Sequence, residues 1–209
     1  MYEENKPQYR ILLLIALAHG LNDLIQGMIP SIYPALQAKY ALTMTQIGGI
    51  TLCYQLSASI LQPLVGNYTD KHPKPYSQVL GMAFTTLGAV FLSMASSYTT
   101  ILFSVVLIGV GSSVFHPESS RVAFLASGGK RSFAQAIFQL GGNLGTAFAP
   151  LLVILLVFSK KVVDGQLIEE AHQERLIWFS SFSIFAMLIL ILVGKWRSIL
   201  LKLLKKKAK

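Results

Sequence analysis

An aspartate within a long apolar run is the first residue of this sequence that demands a chemical role. Asp23 lies in the stretch from Ile11 to about Leu36, and a carboxylate near the middle of a membrane span costs about 2.5–3.5 kcal/mol on insertion scales. His19, Asn22, Asp23 and Gln26 stand at i, i+3, i+4 and i+7, so on a helix they form one polar stripe. That stripe must face protein or water. It reads either as a substrate and proton site or as a hydrogen-bond network holding the helix to its neighbours. Two more stripes, Gln55, Ser59 and Gln62, then Gln135, Gln139 and Asn143, carry uncharged groups that mostly both donate and accept. With Asp23 they suggest a hydrated central cavity able to orient a polar solute. A packing role for each individual amide stays open beside that reading.

A second group sits in Gly109-Val-Gly-Ser-Ser-Val-Phe-His-Pro-Glu-Ser-Ser-Arg-Val-Ala123, where His116, Glu118 and Arg121 fall within two turns. Pro117 removes a backbone donor and is expected to kink a helix there. Glu118 and Arg121 are i, i+3 neighbours. They either neutralise one another near a membrane edge or take part in coupling or gating. His19 and His116 lack the clustered His, Cys and carboxylate ligands that a metal needs, so neither a metal nor another cofactor is expected. No nucleophile and base stand at telling positions, which argues against an enzyme.

The elements that hold these residues follow from where charge is missing. Hydrophobic residues make up 53% and charged residues 13% of the 209 positions, against roughly 25% charged in a soluble domain. No charged residue occurs from Ala41 to Thr69, Pro75 to Phe115, Ser132 to Ser159, or Leu176 to Gly194, and about 20 helical residues cross a bilayer core. The second stretch, 41 residues long, is about two crossings and must turn at Ser96-Ser97-Tyr98-Thr99-Thr100. The result is an all-α integral membrane fold of six spans, at about 10–36, 44–68, 77–96, 100–124, 132–158 and 176–194. A loop of about 17 residues joins the last two. Residues 195–209 follow as a basic tail, either an amphipathic helix on the inner leaflet or a plain stop-transfer anchor. The first span is too long and too polar at its centre for a cleaved signal peptide.

The net charge of +9 follows the membrane rather than a nucleic acid. With the amino terminus in the cytoplasm, fourteen Lys and Arg residues fall inside and only Lys39, Lys160, Lys161 and Arg175 outside, as the positive-inside rule requires. Both termini are therefore expected to be cytoplasmic. A weak repeat relates spans 1–3 to spans 4–6: Tyr54-Gln55-Leu56 before Pro63 matches Phe138-Gln139-Leu140 before Pro150, and His19 with Asp23 matches His116 with Glu118. Inverted three-plus-three repeats build several transporter folds.

The loop Gly66-Asn-Tyr-Thr-Asp70-Lys71-His-Pro-Lys74-Pro resembles the cytoplasmic signature of the major facilitator superfamily at Gly66, Asp70 and Lys71. It departs where Pro73, Lys74 and Pro75 replace a second glycine and paired basic residues. The strings HGLNDLIQ, GITLCYQLSASILQPLVGNYTDK, GVGSSVFHPESSRVA and IFQLGGNLGTAFAPLL are similar to the fosmidomycin-resistance group of efflux transporters. The resemblance implies a drug:proton antiporter of the bacterial inner membrane, driven by the proton gradient and exporting small polar or amphipathic antibiotics. It also implies that Asp70 helps to lock a cytoplasmic gate, the role extended here to Gly66, Lys71 and Arg121. The arginine common in the fourth span of such antiporters is missing, since Phe103 to Ile108 holds no basic residue.

The family usually has twelve spans and this chain six, the amino-terminal half. A working transporter is then expected to need a second half, as a homodimer or a separate chain. The alternatives are a truncated fragment without activity and a six-span channel or other non-transporting membrane protein.

Overall fold

A computed structural model describes residues 6–163 and 166–207. Seven helices form in order: α1 Tyr9–Ser31, α2 Tyr33–Tyr40, α3 Met44–Lys71, α4 Ser77–Ser93, α5 Tyr98–Leu125, α6 Arg131–Val157 and α7 Ile177–Lys207. Two strands, β1 Phe158–Val163 and β2 Gln166–Ala171, and a 3-10 turn, Gln173–Leu176, stand between α6 and α7. Local chemistry sets several of the boundaries. Thr43 with Gln46 and Ser97 with Thr100 form capping boxes that start α3 and α5, each satisfying amide donors the first turn leaves free. Ala41 ends α2 in the left-handed region at φ 49°.

Three expectations change. The first span divides at Ile32 into α1 and α2, because Pro34 cannot donate to the helical ladder but fits the opening turn of a new helix. The connection expected to be a loop is an antiparallel hairpin, with Phe158 opposite Ala171 and Lys161 opposite Ile168, so the fold is helical with one small sheet. Asp164 and Gly165, a dipeptide typical of hairpin turns, lie outside the described residues, as does Lys209. Beyond Gly194 the chain stays in α7 as far as Lys207; 31 residues reach about 46 Å, well over a bilayer core of about 30 Å.

Length and apolarity alone qualify α1, α5, α6 and the segment 173–206 to cross a membrane. Helix α4 is apolar but has 17 residues, and α3 has 28 residues with a more polar surface. These helices pair by a rule of exchange. Helix α1 packs along α6, and α5 packs along α3, while α4 meets α5 as α7 meets α1. Swapping the first three long helices for the last three turns each pair into its counterpart, as expected of a three-plus-three repeat. The α1–α6 contact is close because a Cβ on Gly20 would stand 2.8 Å from the Gly141 carbonyl oxygen. Without an aqueous driving force between helices, such backbone approach supplies the packing.

Large apolar side chains cover the outside: Leu13, Leu64, Leu140 and Leu155 are each more than half exposed. A surface of that kind belongs against lipid or another protein. Inside, one apolar cluster gathers Leu24, Ile29, Ile108, Val153 and Phe179. A second gathers Leu12, Ile15, Phe115, Phe138 and Val193. The polar residues of α1 lie between the two. At the far end, Gln173 donates to the Leu92 and Ala95 carbonyls at 2.8 and 3.1 Å and accepts from Tyr40 at 2.7 Å. The 3-10 turn thereby ties α2 to the end of α4.

Candidate functional site

The polar stripe of α1 meets a residue from α5. His19 and Asn22 are buried, and Asp23 is 15% exposed. His19 Nε2 stands 3.1 Å from Asp23 Oδ2, and His116 Nε2 stands 3.3 Å from Asp23 Oδ1. Asn22 and Gln26 donate to Oδ1 at 3.0 and 3.4 Å. Tyr54 of α3 donates its hydroxyl to Gln26 Oε1. Sequence spacing puts His19, Asn22, Asp23 and Gln26 on one face; the bundle brings His116 and Tyr54 to them.

Both histidines are oriented by backbone. His19 Nδ1 donates to the Phe138 carbonyl at 2.8 Å, and its ring stacks on Phe138 with centroids 3.9 Å apart. His116 Nδ1 lies 3.0 Å from the Ser112 carbonyl. A carbonyl oxygen only accepts, so each Nδ1 carries a hydrogen. The neutral form of each ring then turns a lone pair on Nε2 toward the carboxylate. Sequence spacing gave no reason to expect a cluster of His19, Asp23 and His116, yet their ligand atoms lie within 4.8 Å of one another. Residues 93 positions apart met because α5 crosses α1, which no local pattern encodes.

Gly142 on α6 keeps the group open. A Cβ there would stand 2.5 Å from His19 Cε1 and 2.6 Å from Asp23 Oδ2, tighter than packed atoms tolerate. Gly142→Ala is expected to push His19 off the Phe138 carbonyl and to lower the unfolding temperature in detergent, with about 1–3 kcal/mol lost to overpacking. An unchanged melting curve would show that the ring has room to move.

The other amides divide. Gln55, Ser59, Gln139 and Asn143 are exposed on α3 and α6, and Gln62 is half-buried. Gln139 donates to Asn143 at 3.3 Å, so the two form one small surface pair. Gln135 instead joins α6 to α5, donating to the Ser120 carbonyl at 2.9 Å.

Glu118 sits elsewhere. Two residues beyond His116 it is rotated by about 200° around α5, away from Asp23 and toward α4 and α7. Its carboxylate is fully buried and accepts from Ser77 at 2.6 Å, from Arg197 at 2.5 Å and from Arg121. Arg121 also pairs with Asp70 and donates to Thr69 at 3.0 Å and to the Gly66 carbonyl at 3.4 Å. Four helices, α3, α4, α5 and α7, thus meet around the Glu118–Arg121 pair. Lys71 is exposed beside them.

Arg197, the buried partner of Glu118, is the residue that the reading of residues 195–209 as a tail overlooks. It is 1% exposed. A signal was present: Ala186, Leu190, Val193 and Arg197 follow at spacings of four, three and four, and all four are buried. The buried stripe of α7 simply continues through the arginine.

A helical bundle with an internal repeat, a carboxylate set between two apolar layers and an ion-paired end marks a membrane bundle built on the three-plus-three plan of transporter folds. The chain belongs to the Major Facilitator Superfamily, whose family model matches residues 15–208. It is a multi-pass membrane protein. Over 195 residues it is 46% identical to the fosmidomycin resistance protein of Escherichia coli (strain K12), covering 92% of this chain and 45% of that protein. It is 42% identical over 188 residues to the uncharacterized MFS-type transporter YfnC of Bacillus subtilis (strain 168), covering 90% and 43%. The chain therefore spans a little under half the length of these relatives. Its fold is similar to a bacterial homolog of the human lysosomal transporter Spinster, inward-facing and unoccupied, with a TM-score of 0.69, 17% identity, and 92% and 43% coverage. It is also similar to FucP in the outward conformation, with a TM-score of 0.59, 21% identity, and 92% and 49% coverage.

Proposed function

We propose that this chain is one half of a proton-driven exporter of small molecules, of the fosmidomycin-resistance kind, in the bacterial inner membrane. Asp23 carries the reading: it is a membrane-embedded carboxylate held between two histidines on two different helices, and such a group is a functional site by default. His19 is the partner on its own helix and His116 the partner on α5. In this scheme a proton leaves toward the cytoplasm, drug binds, and reprotonation from outside releases it. The group Gly66, Asp70, Lys71, Glu118, Arg121 and Arg197 closes the cytoplasmic end between those steps. The excess of Lys and Arg at that end supports cytoplasmic termini.

One proton moving through 100 mV supplies about 2.3 kcal/mol, and a tenfold drug gradient requires about 1.4 kcal/mol. A single proton per drug is enough. The exposed amides Gln55, Gln139 and Asn143 give the drug one polar wall, and a second six-helix half supplies the other. That half is a continuation of the same protein, a separate chain or a second copy.

The test is flux in proteoliposomes holding this chain together with a second half taken from a full-length relative. Export of fosmidomycin should follow an imposed pH gradient and stop when a protonophore collapses it. Flux that ignores the gradient would make the assembly a passive channel and overturn the reading.

A further inference from the structure

We propose that the Asp23 centre binds one divalent transition-metal ion, held by the Asp23 carboxylate and by Nε2 of His19 and His116. The inference stands on the geometry of the site and holds whether or not the chain transports. Its starting point is a shortage of hydrogens. Four acceptors converge there: both oxygens of Asp23 and the two Nε2 atoms. The donors are Asn22 and Gln26, and both are directed to Oδ1 alone. His19 Nε2 and Asn22 Oδ1 are buried without a hydrogen-bond partner among the described residues. Lone pairs crowded around a carboxylate repel one another unless a proton or a metal cation stands between them, and this site is built to take either.

The surroundings fit a metal. An imidazole that gives its Nδ1 hydrogen to a backbone carbonyl presents Nε2 as a ligand in a fixed tautomer and direction, the usual support of metal-binding histidines. Here both histidines have that support. Two imidazole nitrogens and a carboxylate suit zinc, cobalt or nickel rather than magnesium or calcium, which take oxygen ligands. Zinc–nitrogen bonds of about 2.0–2.1 Å imply about 3.3–3.4 Å between ligand atoms in a tetrahedron. Each nitrogen stands near that distance from its own carboxylate oxygen, 3.1 Å from Oδ2 for His19 and 3.3 Å from Oδ1 for His116, and the three ligand atoms, within 4.8 Å of one another, draw together as the ion binds. Gly142 leaves the space that any larger residue would fill. His116, 26% exposed, and Asp23, 15% exposed, open the site on one side to an entering ion.

Metal ligation requires neutral imidazoles and an ionised carboxylate. The ion and the coupling proton therefore exclude one another.

The experiment titrates Co2+ into the purified chain in detergent, its affinity tag removed, and follows visible ligand-field absorption with the metal bound per chain. One Co2+ per chain is expected at neutral pH, released on acidification. His116→Gln and Asp23→Asn should each weaken binding by at least about 100-fold, given that losing a mere supporting hydrogen bond costs 10–100-fold. The outward pair His172 and Glu174, 3.2 Å apart, is the rival site, and His172→Ala should leave binding unchanged. Thermal unfolding confirms that each variant is folded; should Asp23→Asn fail, His116→Gln decides. Three results overturn the proposal: no stoichiometric binding to the parent, binding that His116→Gln leaves intact, or binding that His172→Ala abolishes.

Discussion

Asp23→Asn is expected to abolish proton-driven export while leaving the chain at least as stable as its parent. The two halves of that expectation have one cause. An ionised carboxylate between apolar layers carries a desolvation penalty of about 2.5–3.5 kcal/mol, and the uncharged amide that replaces it carries a smaller one. Asparagine keeps an oxygen to accept from Asn22 and Gln26, so the local network survives. What it loses is the ability to take up a proton. For one proton exchanged per neutral drug at 100 mV, the sustained drug gradient should fall by about 40-fold. The measurement is drug accumulation in proteoliposomes under a fixed pH gradient and potential, paired with thermal unfolding. Undiminished export by a well-folded variant would take the proton away from Asp23.

Arg197→Ala should produce the opposite pattern, a large loss of stability that does not depend on transport. Glu118 and Arg197 are 0% and 1% exposed, and removing one partner of a buried pair leaves the other charged and unpaired. The usual cost is about 3–5 kcal/mol. Arg121 still bonds Glu118 in the variant, which places the expected loss toward the lower end. Replacing both members, with Arg197→Met and Glu118→Gln, should recover much of it, since neither charge is then stranded. Asp70→Asn provides the contrast. The Asp70 side chain is 68% exposed, and its pair with Arg121 is screened by water, so less than about 1 kcal/mol is at stake. Unfolding temperatures of the four proteins in one detergent rank these effects directly. If Arg197→Ala melts with the parent, the buried network does not hold α7 to the rest of the bundle.

Such a network ties three helices to one carboxylate. Glu118 is satisfied only while α4, α5 and α7 are together, because its partners Ser77, Arg121 and Arg197 come from those three helices. Helix α3 joins only through Arg121, which pairs with exposed Asp70 and donates to Thr69 and to the Gly66 carbonyl. Loss of the Asp70 contact would leave the buried carboxylate paired with Ser77, Arg121 and Arg197.

The helical membrane fold was legible in the charge-free runs because each was long enough to span a bilayer and no soluble core requires so many in succession. The stripe from His19 to Gln26 was legible for a similar reason, since the period of a helix alone fixes which residues share a face. The hairpin after α6 was not read, although Asp164-Gly165 directly after Val162 and Val163 carries the signal, because the surrounding helices invite a loop. Arg197 was missed because basic residues after a span ordinarily mark a membrane edge. Its burial depends on how α7 lies against α4 and on the reach of Glu118 from α5.

The sequence by itself determined that Asp23 lies in a membrane and that His19, Asn22 and Gln26 accompany it, since both follow from spacing along one helix. Only the tertiary structure decided that His116 completes that group while Glu118, two residues on, leaves it for Arg121 and Arg197. The physical reason is that a helix fixes the angle between its own side chains and leaves free its rotation about its axis relative to its neighbours. That rotation is set where backbones touch, at Gly20 and Gly141 between α1 and α6 and at Gly81 and Gly111 between α4 and α5. Those contacts form only when the whole bundle packs.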